Sequence, residues 1–337
     1  MDEFANMAAA ERRDVLNETA VRLGGVDFTI AEKDFWVCWT LGILFSLGQD
    51  HPEMIFKGGT SLSKAYDLIH RFSEDIDVVT AVHFFMDRGA ADPEEHVSRS
   101  ELERRIDWLD ADCKAYVADE LLPRLTSIFE RRLGRLDDWT LSIDKEDRYG
   151  HTLLFRYPWS DPSREHDYIR GRVKIELGWR SATTPAEPRD VTPYVATFFP
   201  DLFTEPTTRC CVMKPERTFW EKVTALHAES FRDDVSRFFS RHYSDVAALS
   251  RTDVGVDALR DHRMLDTVRR YKQRYYASAR ARYDLAVPGR LQLVPSATKR
   301  RALASDYRAM RTMFFGDPPP FSAVLAEVER IEAEVNA

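Results

Sequence analysis

The sequence predicts an α+β fold, in which a mixed sheet with flanking helices precedes a mainly α-helical C-terminal lobe. Short runs with the two-residue apolar period of strands, such as Asp75–Val79 and Gly171–Trp179, precede residue 180, whereas later apolar positions recur at helical spacing. At 337 residues the chain is long enough for two domains. We expect these at 1–190 and 207–337, with the segment Ser181–Pro206, rich in Pro, Thr and charged residues, as the link between them.

The most informative stretch reads FKGGTSLSKAYDLIHRFSEDIDVV. It comprises, in order, an apolar strand, a glycine turn, a predicted helix and an acidic strand: Met54–Phe56, Gly58-Gly59, Thr60–His70 and Asp75–Val79. Side chains alternate along a strand at about 3.3 Å per residue, so Asp75 and Asp77 share one face, roughly 6.6 Å apart at Cα. Two carboxylates placed in this way repel each other unless a cation lies between them. Hard oxygen ligands suit Mg²⁺, which often binds one or two carboxylates together with substrate phosphates.

The glycine turn supplies the phosphate side of such a site. Glycine lets the backbone approach a ligand closely, and the start of a helix directs free N–H groups at an anion. The predicted nucleotide-binding residues are therefore Gly58, Gly59, Thr60 and Ser61. The structural alternative is a loop followed by an exposed acidic strand.

A third carboxylate is offered by the strand Gly171–Trp179. Its apolar side chains share one face, which leaves Lys174 and Glu176 on the other. A two-metal site needs a further acid from an adjacent strand to hold its second ion. A single Glu on a strand is more often solvated, so the residues alone leave both interpretations open.

Other elements follow from the same periodicities. Two helices are expected before the glycine turn: Ala5–Leu23 and Thr29–Leu47. Thr29 is the expected N-cap of the second, with Glu32 as its capping-box partner. Lys33 lies at its polar start, either as a contact to nucleotide or acceptor or as part of a solvated first turn. We also expect an irregular excursion, a long or broken helical region, two strands joined by a turn, and a final acidic helix: His83–His96, Ser98–Gly134, Trp139–Lys145, His151–Pro158 and Phe321–Val335.

Two further stretches lie beyond the expected link. In CVMKPERTFWEKVTALHAE, Pro215 marks a helix start and Lys222 lies at the edge of the apolar face. The stretch RHYSD begins a short helix and contains Asp245. Each has a structural alternative, since Arg217 and Glu221 can pair as i, i+4 and an acid at a helix start can face the helix dipole.

Charge is unevenly distributed along the chain. The net charge of −8 argues against a whole-surface nucleic-acid binder, yet the segment His262–Met313 has thirteen Lys and Arg against three Asp, a local charge of +10. Within it, RRYKQRYYASARARY interleaves cations with tyrosines, which suits phosphate contacts and stacking on unpaired bases. A helix with packed tyrosines and solvated arginines is the alternative. The candidate RNA-binding residues are Lys33, Arg269, Arg270, Lys272 and Arg274.

Composition argues against several other classes. Hydrophobic residues make up 44% of the chain, enough for a sizeable core. No apolar run reaches the length of a membrane span and the N-terminus does not resemble a signal peptide, so we expect a cytoplasmic protein with no membrane partner. The four cysteines lack metal-ligand spacing, which argues against a zinc site or a disulfide framework.

The order of strand, GGT turn, helix and DxD strand resembles the nucleotidyltransferase superfamily that includes DNA polymerase beta. The stretches EKDFW, KGGTSLSK, RFSEDID, RTFWEKVTALH and RHYSD resemble the AbiEii/AbiGii toxin family within it, between Glu32 and Asp245. The resemblance implies a polymerase-beta-like nucleotidyltransferase core in the first domain. It also implies that Glu176 is the third acid, that Lys222 contacts the triphosphate, and that Asp245 takes the acid position of its motif.

The resemblance further implies the toxin of a toxin–antitoxin pair of the abortive-infection type. Such an enzyme would transfer NMP from an NTP with Mg²⁺, or Mn²⁺, as cofactor. For several relatives it implies a tRNA 3′ end as the RNA acceptor, and it implies a cognate antitoxin from the same operon. The expected catalytic residues are Asp75, Asp77, Glu176, Lys222 and Asp245, with the first three as metal ligands.

Three alternatives remain at this point. A small-molecule nucleotidyltransferase of the aminoglycoside-modifying type would use the same site but would need an acidic pocket for its acceptor. A protein NMP-transferase would differ only in the acceptor. A non-catalytic nucleotide-binding regulator would keep the glycine turn and lose carboxylates, and none of the expected carboxylates is missing from this sequence.

Overall fold

The structure is a computed structural model that describes residues 1–134, 138–161, 163 and 169–337. These residues form two compact units. The first comprises Met1–Ala65 with Ser73–Val212, and the second comprises Tyr66–Phe72 with Met213–Ala337. The second unit is therefore discontinuous in sequence, because seven residues between the glycine turn and the acidic strand belong to it. Among the described residues, no helix is long and apolar enough to cross a membrane.

The first unit is built on a seven-stranded mixed sheet of order β3-β4-β5-β2-β1-β7-β6. Its strands are β1 (Met54–Lys57), β2 (Asp75–Thr80), β3 (Thr140–Ile143), β4 (Thr152–Arg156), β5 (Val173–Gly178), β6 (Ala186–Val191) and β7 (Thr208–Met213). Strand β2 pairs in parallel with β5 and antiparallel with β1, and β1 pairs in parallel with β7. This confirms the predicted α+β class, and it places the acidic strand β2 in the middle of the sheet.

The prediction for Ser181–Pro206 was wrong. The segment is not a link, because it contains β6, the helix Tyr194–Phe198 and the short 3₁₀ helix Pro200–Leu202, and β7 follows directly. Neither of the last two strands was predicted. Strand β6 is an edge strand with mostly exposed side chains and a proline, so it lacks the apolar alternation that identifies a half-buried strand.

Helices surround this sheet in the first unit. They are α1 (Asp2–Ala5), α2 (Ala9–Arg22), α3 (Phe28–Leu44), α4 (Gly58–Lys64), α5 (His83–Met86), α6 (Arg99–Ala115), α7 (Leu122–Leu133) and α8 (Tyr194–Phe198), with the π-helix Tyr116–Leu121 between α6 and α7. The expected first helix is interrupted before Ala9. The N-cap of α3 is Asp27 rather than Thr29, because the Asp27 carboxylate accepts a hydrogen bond from the Thr29 N–H at 2.9 Å.

Helix α4 is shorter than the predicted Thr60–His70 and ends at Lys64. Asp67 has a φ of +53°, in the left-handed region that interrupts a helix. Ile69 and Phe72 are buried, but in the second unit. The residues from Tyr66 to Phe72 therefore belong to the second unit and do not continue α4.

The core of the first unit is rich in aromatic side chains. Trp36 of α3 stacks on Tyr157 with ring centroids 5.5 Å apart, and Trp39 packs against Phe129 of α7 and Phe155 of β4 at 4.9 and 5.7 Å. Almost every residue of α3 is buried, including its polar first turns. The solvated first turn, which the sequence left open as an alternative for Lys33, is therefore not found.

The second unit is mainly helical, as predicted. Its helices are α9 (Pro215–Ser230), α10 (Ser240–Leu249), α11 (Asp253–Arg260), α12 (His262–Tyr275), α13 (Ala297–Ala309) and α14 (Phe321–Asn336). The inserted segment pairs with residues that follow α13. The Phe72 N–H donates to the Met313 carbonyl at 2.6 Å, and the Phe315 N–H donates to the His70 carbonyl at 3.2 Å. These bonds flank a β-bridge between Arg71 and Phe314.

Candidate active site

Asp75 and Asp77 project from one face of β2. In the parallel pairing with β5, Asp75 lies opposite Lys174 and Asp77 lies opposite Glu176. Paired strands are about 4.8 Å apart, so side chains opposite each other on one face are neighbours. All four side chains are half-buried. The middle of the sheet therefore presents three acids and one lysine on the same face.

Gly58 begins α4 directly against Asp77. Its φ of +84° lies in the left-handed region that favours glycine. A Cβ built on Gly58 would lie 2.0 Å from Oδ2 and 2.8 Å from Cγ of Asp77. Two independent requirements, backbone conformation and space, thus exclude a side chain here. The close approach constrains where the Asp77 carboxylate can lie.

Lysines lie among these carboxylates. The Lys174 ammonium contacts the Glu176 carboxylate, and Lys57 of β1 lies opposite Asp77 in the antiparallel pairing. Burial lowers the pKa of Lys174, but the hydrogen bond to Glu176 and the charges of Glu176 and Asp75 outweigh burial, so the pKa is raised. Lys174 is therefore cationic and balances part of the negative charge on this face.

The donor set fits a hard divalent cation. Asp75 and Asp77 offer carboxylate oxygens at neighbouring positions on one face, and the missing side chain of Gly58 leaves room for the Asp77 carboxylate. Among the described residues, no group of three or more His, Cys, Asp or Glu side chains is gathered as a metal-binding cluster. Two carboxylates completed by substrate phosphates match the coordination that Mg²⁺ commonly has in nucleotide sites. The role of Glu176 as a third ligand remains a prediction.

The two hydroxyls predicted to bind nucleotide are engaged within the first unit. Both Thr60 and Ser61 are fully buried. The Thr60 hydroxyl lies 2.5 Å from the Asp75 carbonyl oxygen and 3.0 Å from the Ser73 hydroxyl, and the Ser61 hydroxyl donates to the Gly58 carbonyl at 3.0 Å. Thr60 thus fastens α4 to the start of β2. Nucleotide binding by Gly58, Gly59, Thr60 and Ser61 stays a prediction.

Two buried ion pairs join α3 to the glycine turn and the acidic strand. Lys64, the last residue of α4, lies 2.7 Å from Asp34 Oδ1, and its ammonium lies 3.4 Å from the centroid of the Tyr194 ring. Burial lowers the pKa of Lys64, but the Asp34 carboxylate outweighs it and the pKa is raised. Lys33 pairs with Glu74, and only 3% of the Lys33 side chain is exposed. This geometry gives no support to the predicted contact between Lys33 and RNA.

Glu32 is buried beside Arg12. Its Oε1 accepts a hydrogen bond from the Ser160 N–H at 2.7 Å and lies 4.0 Å from Arg12 Nε. Its Oε2 has no hydrogen-bond partner in the described part of the chain. Burial raises the pKa of Glu32 to about 7, although Ser160 and Arg12 act in the opposite direction. Glu32 is therefore not the capping-box residue that the sequence predicted.

Lys222 and Asp245 meet in the second unit. Lys222 of α9 has its Nζ 2.8 Å from Oδ2 of Asp245 on α10. Arg71 holds the same carboxylate with two hydrogen bonds, from Nε to Oδ1 at 2.7 Å and from Nη2 to Oδ2 at 2.8 Å. The three side chains are less than a tenth exposed. They carry two positive charges and one negative charge, so the trio has a net charge of +1.

Burial and charge shift the titration of this trio. The pKa of Lys222 is lowered by burial and by Arg71 and Arg241, against the attraction of Asp245. Burial raises the pKa of Asp245, but Arg71 and Lys222 outweigh it and hold the pKa well below its usual range. Burial, Lys222 and Arg241 lower the pKa of His242 well below its ordinary value, so this imidazole is neutral.

The other predicted residues of the second unit contact acidic side chains, a backbone carbonyl and an aromatic ring. Arg217 and Glu221 pair at 3.2 Å, as the i, i+4 spacing indicated. On α12, Arg269 and Arg270 both pair with Asp266, at 2.5 and 2.8 Å. Other contacts link Lys272 to the Glu221 carbonyl and place the Arg274 guanidinium over the Tyr275 ring. Of these four cations, Arg270 is the most exposed, with 74% of its side chain accessible.

The chain thus combines three features: a glycine pair before a helix, paired aspartates on a central strand, and the Lys222–Asp245 ion pair. The family model described as "Nucleotidyl transferase AbiEii toxin, Type IV TA system" matches residues 40–327. The chain belongs to the AbiEii nucleotidyltransferase toxin family. It is thus a nucleotidyltransferase toxin of a type IV toxin–antitoxin system.

A solved structure agrees in fold. The nucleotidyltransferase toxin MenT4 of Mycobacterium tuberculosis H37Rv superposes with a TM-score of 0.51 at 16% identity, covering 96% of this chain and 89% of MenT4. No curated protein matches the sequence. The family match supports the resemblance on which the motifs were interpreted, and the structural match supports the α+β nucleotidyltransferase fold.

Sequence reasoning missed several residues of the site. Arg71, Lys64, Asp34 and Glu74 received no role, although each lies inside a stretch that carried the resemblance. The signal for them was that charged residues recur inside stretches that also carry the resemblance. Such a residue must be paired when the motif is buried, but its partner is distant in sequence and only the fold supplies it.

Proposed function

We propose that this AbiEii-family toxin transfers NMP from an NTP to an RNA acceptor, the tRNA 3′ end, in a reaction that depends on Mg²⁺. The observation that carries the proposal is the acidic face of β2, where Asp77 lies against Gly58 and beside Glu176. Lys174 balances part of the negative charge of these carboxylates, and a bound cation would balance more of it. Two carboxylates with phosphates are a usual Mg²⁺ coordination in enzymes that transfer nucleotidyl or phosphoryl groups.

In the proposed mechanism, Asp75 and Asp77 would hold the cation together with the phosphates of the donor. The bound ion would supply positive charge against the attacking and leaving oxygens. A carboxylate oxygen of Glu176 accepts the proton of the acceptor hydroxyl. The Lys222 ammonium donates hydrogen bonds to the pyrophosphate leaving group, and Asp245 holds Lys222 in place.

The RNA acceptor is supported by the charge of the second unit. The segment His262–Met313 carries +10 in a chain of net charge −8, and α12 has Arg270 exposed at its surface. Positive charge concentrated in one segment attracts a phosphate backbone, whereas a cationic drug would be repelled by it. A cognate antitoxin from the same operon and a cytoplasmic site of action complete the proposal.

The deciding experiment is incubation of the purified protein with total RNA, Mg²⁺ and each NTP in turn, labelled at the α-phosphate. The expected result is label in RNA of tRNA size, lost when the 3′ hydroxyl is oxidised with periodate. Label in a protein band would favour protein NMP-transfer. Label only in an added aminoglycoside would favour the small-molecule alternative, and no label with any NTP would contradict the proposed activity.

A further inference from the structure

We propose that Arg71 is a positioning residue for Lys222, acting through the carboxylate of Asp245. The proposal rests on the proposed role of Lys222 as the contact to the triphosphate. Arg71 is distant in sequence from both partners, and the contact exists because the segment Tyr66–Phe72 belongs to the second unit.

The geometry of the carboxylate carries the argument. The guanidinium fork takes both oxygens of Asp245, at 2.7 and 2.8 Å, and this fixes the plane of the carboxylate. One side of Oδ2 is left for Lys222, which lies 2.8 Å away. A monodentate cation would leave the carboxylate able to rotate. The direction of the Lys222 ammonium would then vary with that rotation.

Arg71 is itself held rigidly. Its Nη1 donates to the Phe72 carbonyl at 3.0 Å, so the guanidinium has hydrogen bonds on three nitrogens. Its backbone forms the β-bridge to Phe314, with hydrogen bonds on either side from Phe72 and Phe315. A residue that supplied charge alone would not need this support, whereas one that aligns a carboxylate does.

Charge balance gives a second reason for Arg71. Without it, Lys222 and Asp245 would form a neutral pair with little attraction for an anion. With it, the trio keeps a net positive charge. The charged and titratable groups that face Lys222 are Asp245, Arg71, Arg241 and His242, and His242 is neutral. Removal of Arg71 should therefore raise the pKa of Lys222, since Asp245 would then act on Lys222 alone.

The test compares Arg71→Gln and Arg71→Lys with wild type, and uses Arg260→Gln as the matched control. Arg260 also pairs with an aspartate of the second unit, Asp257 at 3.6 Å, but that pair is exposed and lies outside the segment His262–Met313. We expect Arg71→Gln to lower kcat/KM for NTP by roughly 10- to 100-fold, with partial rescue in Arg71→Lys, which restores charge without the fork. Arg260→Gln should behave as wild type.

A double-mutant cycle distinguishes positioning from general destabilisation. If Arg71 acts through Asp245, then Arg71→Gln should cost much less in an Asp245→Asn background than in wild type. Equal costs in the two backgrounds, or a loss of kcat/KM that follows the fall in Tm alone, would overturn the proposal.

A titration that needs no catalysis separates this inference from the proposed function. Lysine labelled with ¹³C at Cε, with the Lys222 signal identified by Lys222→Arg, reports the pKa of Lys222 directly. We expect that pKa to rise in Arg71→Gln and to rise less in Arg71→Lys. An unchanged Lys222 titration in Arg71→Gln would contradict the inference, even if wild type transfers nucleotide. Absence of transfer in wild type would contradict only the proposed function.

Discussion

At the residue scale, the tightest steric requirement in the candidate active site is the contact between Gly58 and the Asp77 carboxylate. A Cβ at Gly58 would overlap the Asp77 carboxylate, and the carboxylate would have to move. The φ of +84° adds strain for any L side chain. A substitution of Gly58 therefore tests the acidic face of β2 without changing any charge.

We expect Gly58→Ala to abolish nucleotidyl transfer while the fold survives. The backbone strain should cost about 1–2 kcal/mol of unfolding free energy. The matched control is Gly48→Ala, because Gly48 has a φ of +87° but nothing within 4 Å of its Cβ position. It should show the same loss of stability with normal transfer. Equal activities in the two variants, measured with labelled NTP, would show that the contact with Asp77 is not functional.

The paired aspartates provide a second test at this scale. Asp75→Asn or Asp77→Asn removes one ligand charge with almost no change of volume. Transfer should fall by at least about a hundredfold, because the proposed metal would stabilise the transition state by several kcal/mol. Binding of Mn²⁺, followed by electron paramagnetic resonance, should weaken in parallel. If both variants retained near-normal transfer and Mn²⁺ binding, the metal assignment would be wrong.

At the scale of elements, helix α12 shows that interleaved tyrosines and arginines can contact each other and nearby acids within the protein. Tyr271 and Tyr275 pack against each other at 4.4 Å, and Arg269 and Arg270 share the Asp266 carboxylate. The packed tyrosines agree with the structural alternative that the sequence left open, although Arg269 and Arg270 are paired with Asp266. RNA contact by this helix remains a prediction.

Salt dependence tests the proposed RNA contact. Arg270→Gln with Arg274→Gln should make the slope of log affinity for RNA against log salt shallower, by about 0.7 for each single-strand phosphate that the variant no longer neutralises. NTP binding should not change. The control pair is Arg99→Gln with Arg104→Gln on α6, whose side chains are 82% and 77% exposed. The same slope in both pairs would remove α12 from the RNA-binding surface.

At the scale of the whole molecule, each unit holds a buried titratable group, and we expect the two groups to couple stability to pH in opposite directions. Glu32 in the first unit has a pKa raised to about 7 by burial. In the second unit, His227 accepts from the Gln292 N–H at Nδ1 and contacts the Arg282 carbonyl through Nε2, which requires the neutral ring. Burial lowers the pKa of His227 below 6.5.

Glu32 should destabilise the first unit as pH rises. Because its folded pKa lies above its unfolded value of 4.5, its contribution is fully present below pH 4.5 and is lost through about pH 7. Glu32→Gln should remove this dependence and raise the unfolding free energy at pH 8 by up to about 3 kcal/mol. Denaturant titrations at pH 5 and pH 8 provide the measurement. Identical pH dependence in the variant and wild type would show that Glu32 is not the titrating group.

His227 should have the opposite effect on the second unit. Its folded pKa is lower than its unfolded value of 6.5, so its contribution is present above pH 6.5 and is lost as pH falls. His227→Gln should flatten the stability profile below pH 6.5, measured from denaturant titrations with a probe in the second unit. A profile that keeps its acid limb in this variant would point to another group.

The sequence by itself determined the parts of this protein that depend on local chemistry and short-range order. The period-two placement of Asp75 and Asp77, the strand of Glu176 and the helices with Lys222 and Asp245 were placed in the correct elements. The glycine pair was predicted as a turn before the helix, whereas α4 already begins at Gly58. Local patterns suffice for the strands because a strand alternates its side chains wherever the rest of the chain lies.

The partners of these residues, and the kind of contact each makes, could be read only from the folded chain. Lys33 and Lys64 are held by Glu74 and Asp34, and Asp245 is held by Arg71. Each pair joins residues far apart in sequence, and a buried charge takes whichever opposite charge the fold brings to it. The sequence cannot reveal that choice, because a periodic pattern specifies which face of an element is buried but not which element packs against it.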